Sequence, residues 1–239
     1  MIFERRAYTL RPGWLEAFWE AQETWNVPAV FGPILERNIG YFSAVTGSSE
    51  EVVHLYRFDS LDQWDALYKA YYKAQSADYF ALVRPWMLRQ ENSFLAPPSI
   101  AGLAARWTGA RLLAPPGLDA VSPEALEAAC IVETTLLLFP GGMPVYWQAC
   151  EAHRLVPEPL DDRNLLAELV SLIGGLHRVA RYEAFRDPAE ALQRMAERNE
   201  DPRWRAFERA YADWVADRTV TVLSLTSLAS RRAVLGAAG

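Results

Sequence analysis

Polar and apolar side chains alternate along IFERRAYTL and stop at Arg11-Pro12-Gly13, the pattern of a strand that ends in a turn. Along WLEAFWEAQETW the positions Trp14, Leu15, Phe18, Gln22 and Trp25 fall at three- and four-residue steps, with Gln22 the polar exception. That spacing predicts a helix, closed by Pro28 and the Phe31-Gly32-Pro33 break. GYFSAVTG and VVHLYRF then alternate on either side of Gly47-Ser48-Ser49-Glu50, as the two arms of a hairpin do. Ser60 is placed to cap a helix over LDQWDALYKAYYKA, and a further helix is predicted through YFALVRPWMLRQ before a closing strand, ENSFLAP. The order is β-α-β-β-α-β, the ferredoxin-like split unit.

The same pattern comes a second time. Pro12-Gly13, Phe18-Trp19 and Ala21 are matched 128 residues later by Pro140-Gly141, Tyr146-Trp147 and Ala149, and Trp86 is matched by Trp214 at that same offset. Gly47 and Phe58 match Gly174 and Phe185 with the offset shortened by one. Trp is too rare a residue for two such matches to be chance, so the chain reads as a tandem duplication. The second copy predicts strands in CIVETTLLLF, LLAELVSLIG, HRVARYEAF and TVTVLSLTSL, a helix containing YWQACEAHRL, and helices from Asp187 through Asp217. Residues 96 to 129, rich in Ala, Pro and Gly, suit a linker, with room for a short element over Ala101 to Leu113. The expected organisation is a module at 1–98, a linker at 99–127, a divergent module at 128–228 and a tail at 229–239. The fold class is α+β: each antiparallel sheet has helices on one face, and the two uncovered faces meet as an α+β barrel.

Composition narrows the function. Apolar residues make up 51% of the chain and nine are Trp, which excludes disorder and demands a large aromatic interior. A formal net charge of -6 without a basic cluster argues against a nucleic-acid partner. MIFERRAYTL carries charges where a signal peptide needs an apolar core, and no apolar run reaches membrane length, so a cytoplasmic location with no membrane partner is expected. Cys130 and Cys150 are too few for a disulfide framework and read as buried, reduced thiols. Dinucleotide, P-loop, zincin and nucleophile-elbow motifs are absent from the sequence. The three histidines offer only Cys150-x-x-His153 at ligand spacing, short of the three or four ligands of a zinc site, so no metal is expected.

The runs FERRAYTLRPG, IGYFSAVTGSSEEVVHLYRFDSLDQW and RPWMLRQENSFLAP together resemble a NIPSNAP domain over nearly all of residues 1 to 98. The Glu4-Arg5-Arg6-x-Tyr8 strand running into Pro12-Gly13, the Gly40-Tyr41 start of the hairpin, and Val53 through Leu61 carry the resemblance. The second half keeps Pro140-Gly141 and Asp201 through Phe207, similar to the family's late-helix motif, but has lost most polar strand residues. The resemblance implies the wider dimeric α+β barrel superfamily, whose members include cofactor-independent monooxygenases, isomerases and dehalogenases, and haem-binding enzymes. That breadth leaves the reaction open.

Strand parity puts Glu4, Arg6 and Tyr8 on one face of the first strand and groups His54 with Tyr56 and Phe58 on the third. In a ferredoxin-like sheet those strands are neighbours, so this set is expected to line the barrel interior around a cavity of the first module, with Leu136 and its neighbours filling the matching space in the second. His54, Tyr8 and Arg6 are the candidate catalytic residues; Glu4, Tyr56, Phe58 and Tyr41 are candidate substrate contacts. Two interpretations stay open: a paired charge and hydrogen-bonded core residues, or a water-excluding site that holds an anionic or enolic substrate and moves a proton. His54 has the one side chain of the set that ordinarily titrates near neutrality. The leading expectation is a small-molecule enzyme without organic cofactor, acting by acid-base chemistry (oxygenation, isomerisation or cyclisation) on an aromatic or polyketide-like substrate. The alternatives are a carrier of a hydrophobic ligand or haem without turnover, and a scaffold. Trp14, Trp25, Trp64 and Trp86 are expected as core or interface rings, and any surplus of exposed aromatics would point to a homodimer.

Overall fold

In the computed structural model the described residues are 1–25, 34, 37–48, 50–72, 76–100, 128–155, 160 and 164–225. The Ala101–Leu113 element, most of the linker and the tail lie outside them. The strands are β1 (Ile2–Leu10), β2 (Asn38–Ala44), β3 (Glu51–Phe58), β4 (Met87–Ala96), β5 (Cys130–Leu138), β6 (Leu165–Ile173), β7 (Arg178–Phe185) and β8 (Val215–Leu225). The helices are α1 (Leu15–Trp25), α2 (Leu61–Tyr72), α3 (Ala77–Val83), α4 (Gly142–Cys150), α5 (Pro188–Glu200) and α6 (Pro202–Tyr211).

Local chemistry accounts for several boundaries. Ser60 Oγ accepts from Gln63 N at 3.1 Å while Gln63 Oε1 accepts from Asp59 N at 2.8 Å, which starts α2 where the sequence places it. Asp187 and Asp201 cap α5 and α6, each followed by a proline whose missing N–H costs nothing at that position. Gly47 and Gly174 turn the two hairpins at φ of 84° and 107°, a region closed to most side chains. The predicted helix through Gln90 is corrected. α3 stops at Val83, a single 3-10 turn holds Arg84–Trp86, and Met87 to Gln90 already belong to β4. Pro85 cannot continue the helical hydrogen bonds, and β1 captures the following residues in the pairs Leu10↔Met87 and Tyr8↔Gln90.

Strand order is β4-β1-β3-β2 in the first half and β8-β5-β7-β6 in the second, and the antiparallel seams β2–β8 and β4–β6 join them into one closed barrel. Register repeats between halves: Ile2↔Phe58 corresponds to Cys130↔Phe185, and Arg6↔His54 to Thr134↔Arg181. Every strand contributes to a single apolar cluster containing Phe3, Leu55, Leu95, Ile131, Leu169 and Leu223, and only the inside of the barrel can collect side chains from all eight. Arg5 lies on that side, bound by two 2.8 Å hydrogen bonds to Glu133.

This corrects the assignment of faces. On β1 the interior receives Phe3 and Ala7 with Arg5, whereas Tyr8 packs with Phe18 and Ala21 of α1, and Tyr56 and Phe58 pack against Trp64 and Leu67 of α2. The set Glu4, Arg6, Tyr8, His54 therefore lies between sheet and helices, not inside the barrel. Both strand faces are buried here, so period-two alternation separates them without saying which is inside. Trp14 is not a core ring: it is 40% exposed and stacks on Trp86 at a ring distance of 5.1 Å. Among the described residues no helix is long and apolar enough to cross a membrane.

Candidate functional site

All seven residues singled out in the sequence are buried in the N-terminal half on the helix side of the sheet. β1 supplies Glu4, Arg6 and Tyr8, β3 supplies His54, Tyr56 and Phe58, and β2 supplies Tyr41. His54 is their centre. Its ring lies 4.3 Å from that of Tyr41, 5.0 Å from Tyr8 and 6.0 Å from Trp19 of α1, and the Tyr56 hydroxyl is 3.5 Å from His54 Nδ1. Arg6 donates to Glu4 Oε2 at 2.8 Å and stands over the Tyr56 ring at 4.6 Å. Glu4 also accepts from Trp64 Nε1 (3.0 Å) and Asn92 Nδ2 (2.8 Å), as a fully buried carboxylate requires.

Burial raises the Tyr8 and Tyr56 phenols, and the pull of the Arg6 charge does not undo it, so both stay un-ionised donors. Burial alone would lower Arg6, but Tyr56 and Glu4 more than offset this and hold it charged. The arrangement is an imidazole walled by neutral phenols with one fixed positive charge beside it. A haem fits poorly, because the Tyr8, Tyr41 and Trp19 rings already close around His54.

The C-terminal half differs from expectation. Leu136 and its neighbours do not fill the matching space; they wall a cavity of about 320 Å³ between the sheet and helices α5 and α6. Polar groups that sequence parity overlooked come from β6, β7 and the helices. Glu168, fully buried on β6, accepts from Tyr146 at 2.7 Å and from Arg154 Nη1 at 2.7 Å. Arg154 reaches it from a π-helical turn, Glu151–Leu155, that extends α4. Arg181, the register counterpart of His54, donates to Glu183 at 3.0 Å, and Arg198 of α5 grips the same carboxylate with both nitrogens, Nη1 at 2.7 Å. Both guanidiniums lie over Trp204, at 5.0 and 4.7 Å. The RVARYEAF strand did carry Arg181 and Glu183 at a two-residue step, the same signal that marked Glu4 and Arg6.

Burial would raise the Glu183 carboxyl, but Arg181 and Arg198 more than offset it and hold it at about 2. Its folded value lies below the ordinary 4.5, so its contribution to stability is complete above about pH 4.5 and is lost as the pH falls toward about 2. Urea midpoints measured across that range should fall with pH in the wild type and fall less steeply in Glu183→Gln. Parallel slopes would contradict the ion-pair geometry. Cys150 sits 3.7 Å from Arg154, and burial with the nearby Glu168 pushes its thiol up to about 12, which makes it inert at neutral pH.

The NIPSNAP family pattern matches residues 3–101. A NIPSNAP family protein of Agrobacterium tumefaciens is 25% identical, covers 43% of this chain and 97% of its own, and superposes with a TM-score of 0.39. A proposed monooxygenase of Fusobacterium nucleatum, 10% identical, covers 94% of this chain and 91% of its own with a TM-score of 0.56. An anthrone oxidase-like protein, 13% identical, covers the same shares with a TM-score of 0.55. The last two likenesses are likenesses of fold, mixed α+β with an antiparallel sheet. No curated protein matches the chain.

Proposed function

We propose, for a chain whose residues 3–101 form a NIPSNAP domain, that it is a duplicated pair of ferredoxin-like modules and that its N-terminal half carries out cofactor-independent acid-base chemistry on an enolisable aromatic or polyketide-like molecule. The observation that carries this is the convergence of Tyr8, Tyr41 and Tyr56 on one buried imidazole, with Arg6 its register partner on β1. His54 takes the proton from the carbon acid. The un-ionised Tyr8 and Tyr56 hydroxyls donate to the oxygen on which negative charge develops, and Arg6, oriented by Glu4, stabilises that charge. Phe58 and Tyr41 supply the apolar wall against which a flat ring packs. Phe18 and Trp19 of α1 stand over His54 with ring distances of 6.1 and 6.0 Å, so substrate entry displaces that helix face.

The test is catalysed deuterium exchange at the acidic carbon of enolisable ketones, anthrone among them, followed by proton NMR in D₂O. Wild type should accelerate exchange for at least one ketone. His54→Ala and Tyr8→Phe should each slow it at least about tenfold, roughly 1.4 kcal/mol in the barrier. Arg57→Ala, exposed on the opposite strand face, should stay close to wild type. No acceleration with any ketone, or full rates in both site variants with melting temperatures unchanged, would remove the proposal.

A further inference from the structure

The cavity of the C-terminal half lies outside the residues matched by NIPSNAP and has a charge character of its own. Three guanidiniums line it, Arg181, Arg198 and Arg218, against two carboxylates, Glu183 and Glu208. Arg218 and Glu208 neutralise each other at the mouth at 2.9 Å, and Arg154 with Glu168 forms a balanced, fully buried pair behind the wall. Glu183 is shared between Arg181 and Arg198, and Arg181 also lies 3.7 Å from Glu168, so among the side chains that line the chamber guanidiniums outnumber carboxylates three to two. Arginine does not shed its proton in a protein, so an anion that enters meets guanidiniums that stay charged. The neighbouring Tyr146 and Tyr211 phenols are both raised by burial, and they add polarity without adding negative charge.

A second cavity of about 410 Å³ shares Leu136, Glu208, Tyr211 and Arg218 with the first and forms its vestibule, to which Arg205 and Arg209 bring further positive charge. Asp217 neighbours Arg218 in sequence but projects from the other strand face and lines neither cavity. A positive approach on a chain of net charge -6 is a local feature that the overall balance does not explain, and it draws anions inward. The remaining walls are apolar or aromatic: Val132, Val179, Trp204 and Phe207. At about 320 Å³ the chamber is at the low end for ligand sites, about 300–1,000 Å³, and suits one small ring system.

We propose that this chamber binds a small aromatic carboxylate, with the carboxylate directed to Arg181 and Arg198 and the ring held among Val179, Phe207 and Tyr211. The site is separate from His54 and does not depend on chemistry there. The test uses 1-naphthoate and its neutral isostere 1-naphthamide, titrated into the full chain by calorimetry at low salt. Naphthoate should bind at least about tenfold more tightly than naphthamide, a preference that shrinks as NaCl is added. Arg198→Gln should lower naphthoate affinity about tenfold and leave naphthamide unchanged. Val220→Trp, which fills the mouth from a 38% exposed position on β8, should abolish binding of both with the melting temperature retained. Should Arg198→Gln fail to fold, the naphthoate preference and Val220→Trp still decide. Equal affinities for the two compounds, no binding of either, or naphthoate binding that survives Val220→Trp would overturn the proposal. Failure of ketone exchange with naphthoate binding intact would remove the N-terminal chemistry alone, and the reverse result would remove this site alone.

Discussion

Glu168→Leu is expected to destabilise the protein by about 3–5 kcal/mol, because it strands a fully buried Arg154 without its carboxylate. Arg154 Nη1 lies 2.7 Å from Glu168, and its side chain also meets the neutral Cys150 sulfur at 3.7 Å and the Phe207 ring at 5.4 Å. Neither replaces a full negative charge. The Tyr146 hydroxyl loses its acceptor in the same substitution, and Arg181 loses a carboxylate at 3.7 Å. The double variant Arg154→Met with Glu168→Leu should recover most of the loss, since an apolar pair of similar volume often matches a buried ion pair in stability. Urea unfolding of the three proteins checks this: a cost below about 1 kcal/mol for Glu168→Leu, or a double variant no better than the single, would show that the pair does not carry this part of the core.

Charge reversal inside the barrel should be comparably severe. Arg5 and Glu133 occupy equivalent positions of the two halves, 128 residues apart, and meet in two 2.8 Å hydrogen bonds where the halves face each other. Burial by itself would lower the Arg5 pKa, but Glu133 more than offsets it, so Arg5 stays charged. Glu133→Arg sets two guanidiniums together beside Tyr182, with the 3.4 Å contact of Arg5 to Glu51 left to offset them. An expected loss of about 3–5 kcal/mol follows. Adding Arg5→Glu restores opposite charge and should recover at least half, though not all, because residue 5 would then face Glu51. Urea titrations showing no recovery would mean that orientation at this position, and not charge, decides the fit.

The polar cluster of the first half was legible because its residues are close in sequence. Glu4, Arg6 and Tyr8 share a strand face by parity, and His54 and Tyr56 reach them through a neighbouring strand whose hairpin the glycine at 47 announces. The chamber of the second half was not legible, since its members come from β5, β7, β8, α5 and α6 and no local period joins Arg181 to Arg198 or Trp204. Leu136 and its neighbours read as filler, but a wall of a cavity and the filling of a core have the same composition.

The sequence by itself determined the order of elements, the Ser60 cap, the turns at glycine, the 128-residue equivalence of the halves and which side chains share a strand face. Each is set by contacts within a few residues, or by a repeat that can be counted. Tertiary structure alone decided which face closes on itself and which lies under helices, that Arg5 finds Glu133, and that a cavity opens in the second half. The physical reason is that both faces of each strand are buried in a closed barrel with outer helices. Hydrophobic alternation is then nearly symmetric, and only the seams β2–β8 and β4–β6, formed between residues far apart in sequence, break the symmetry.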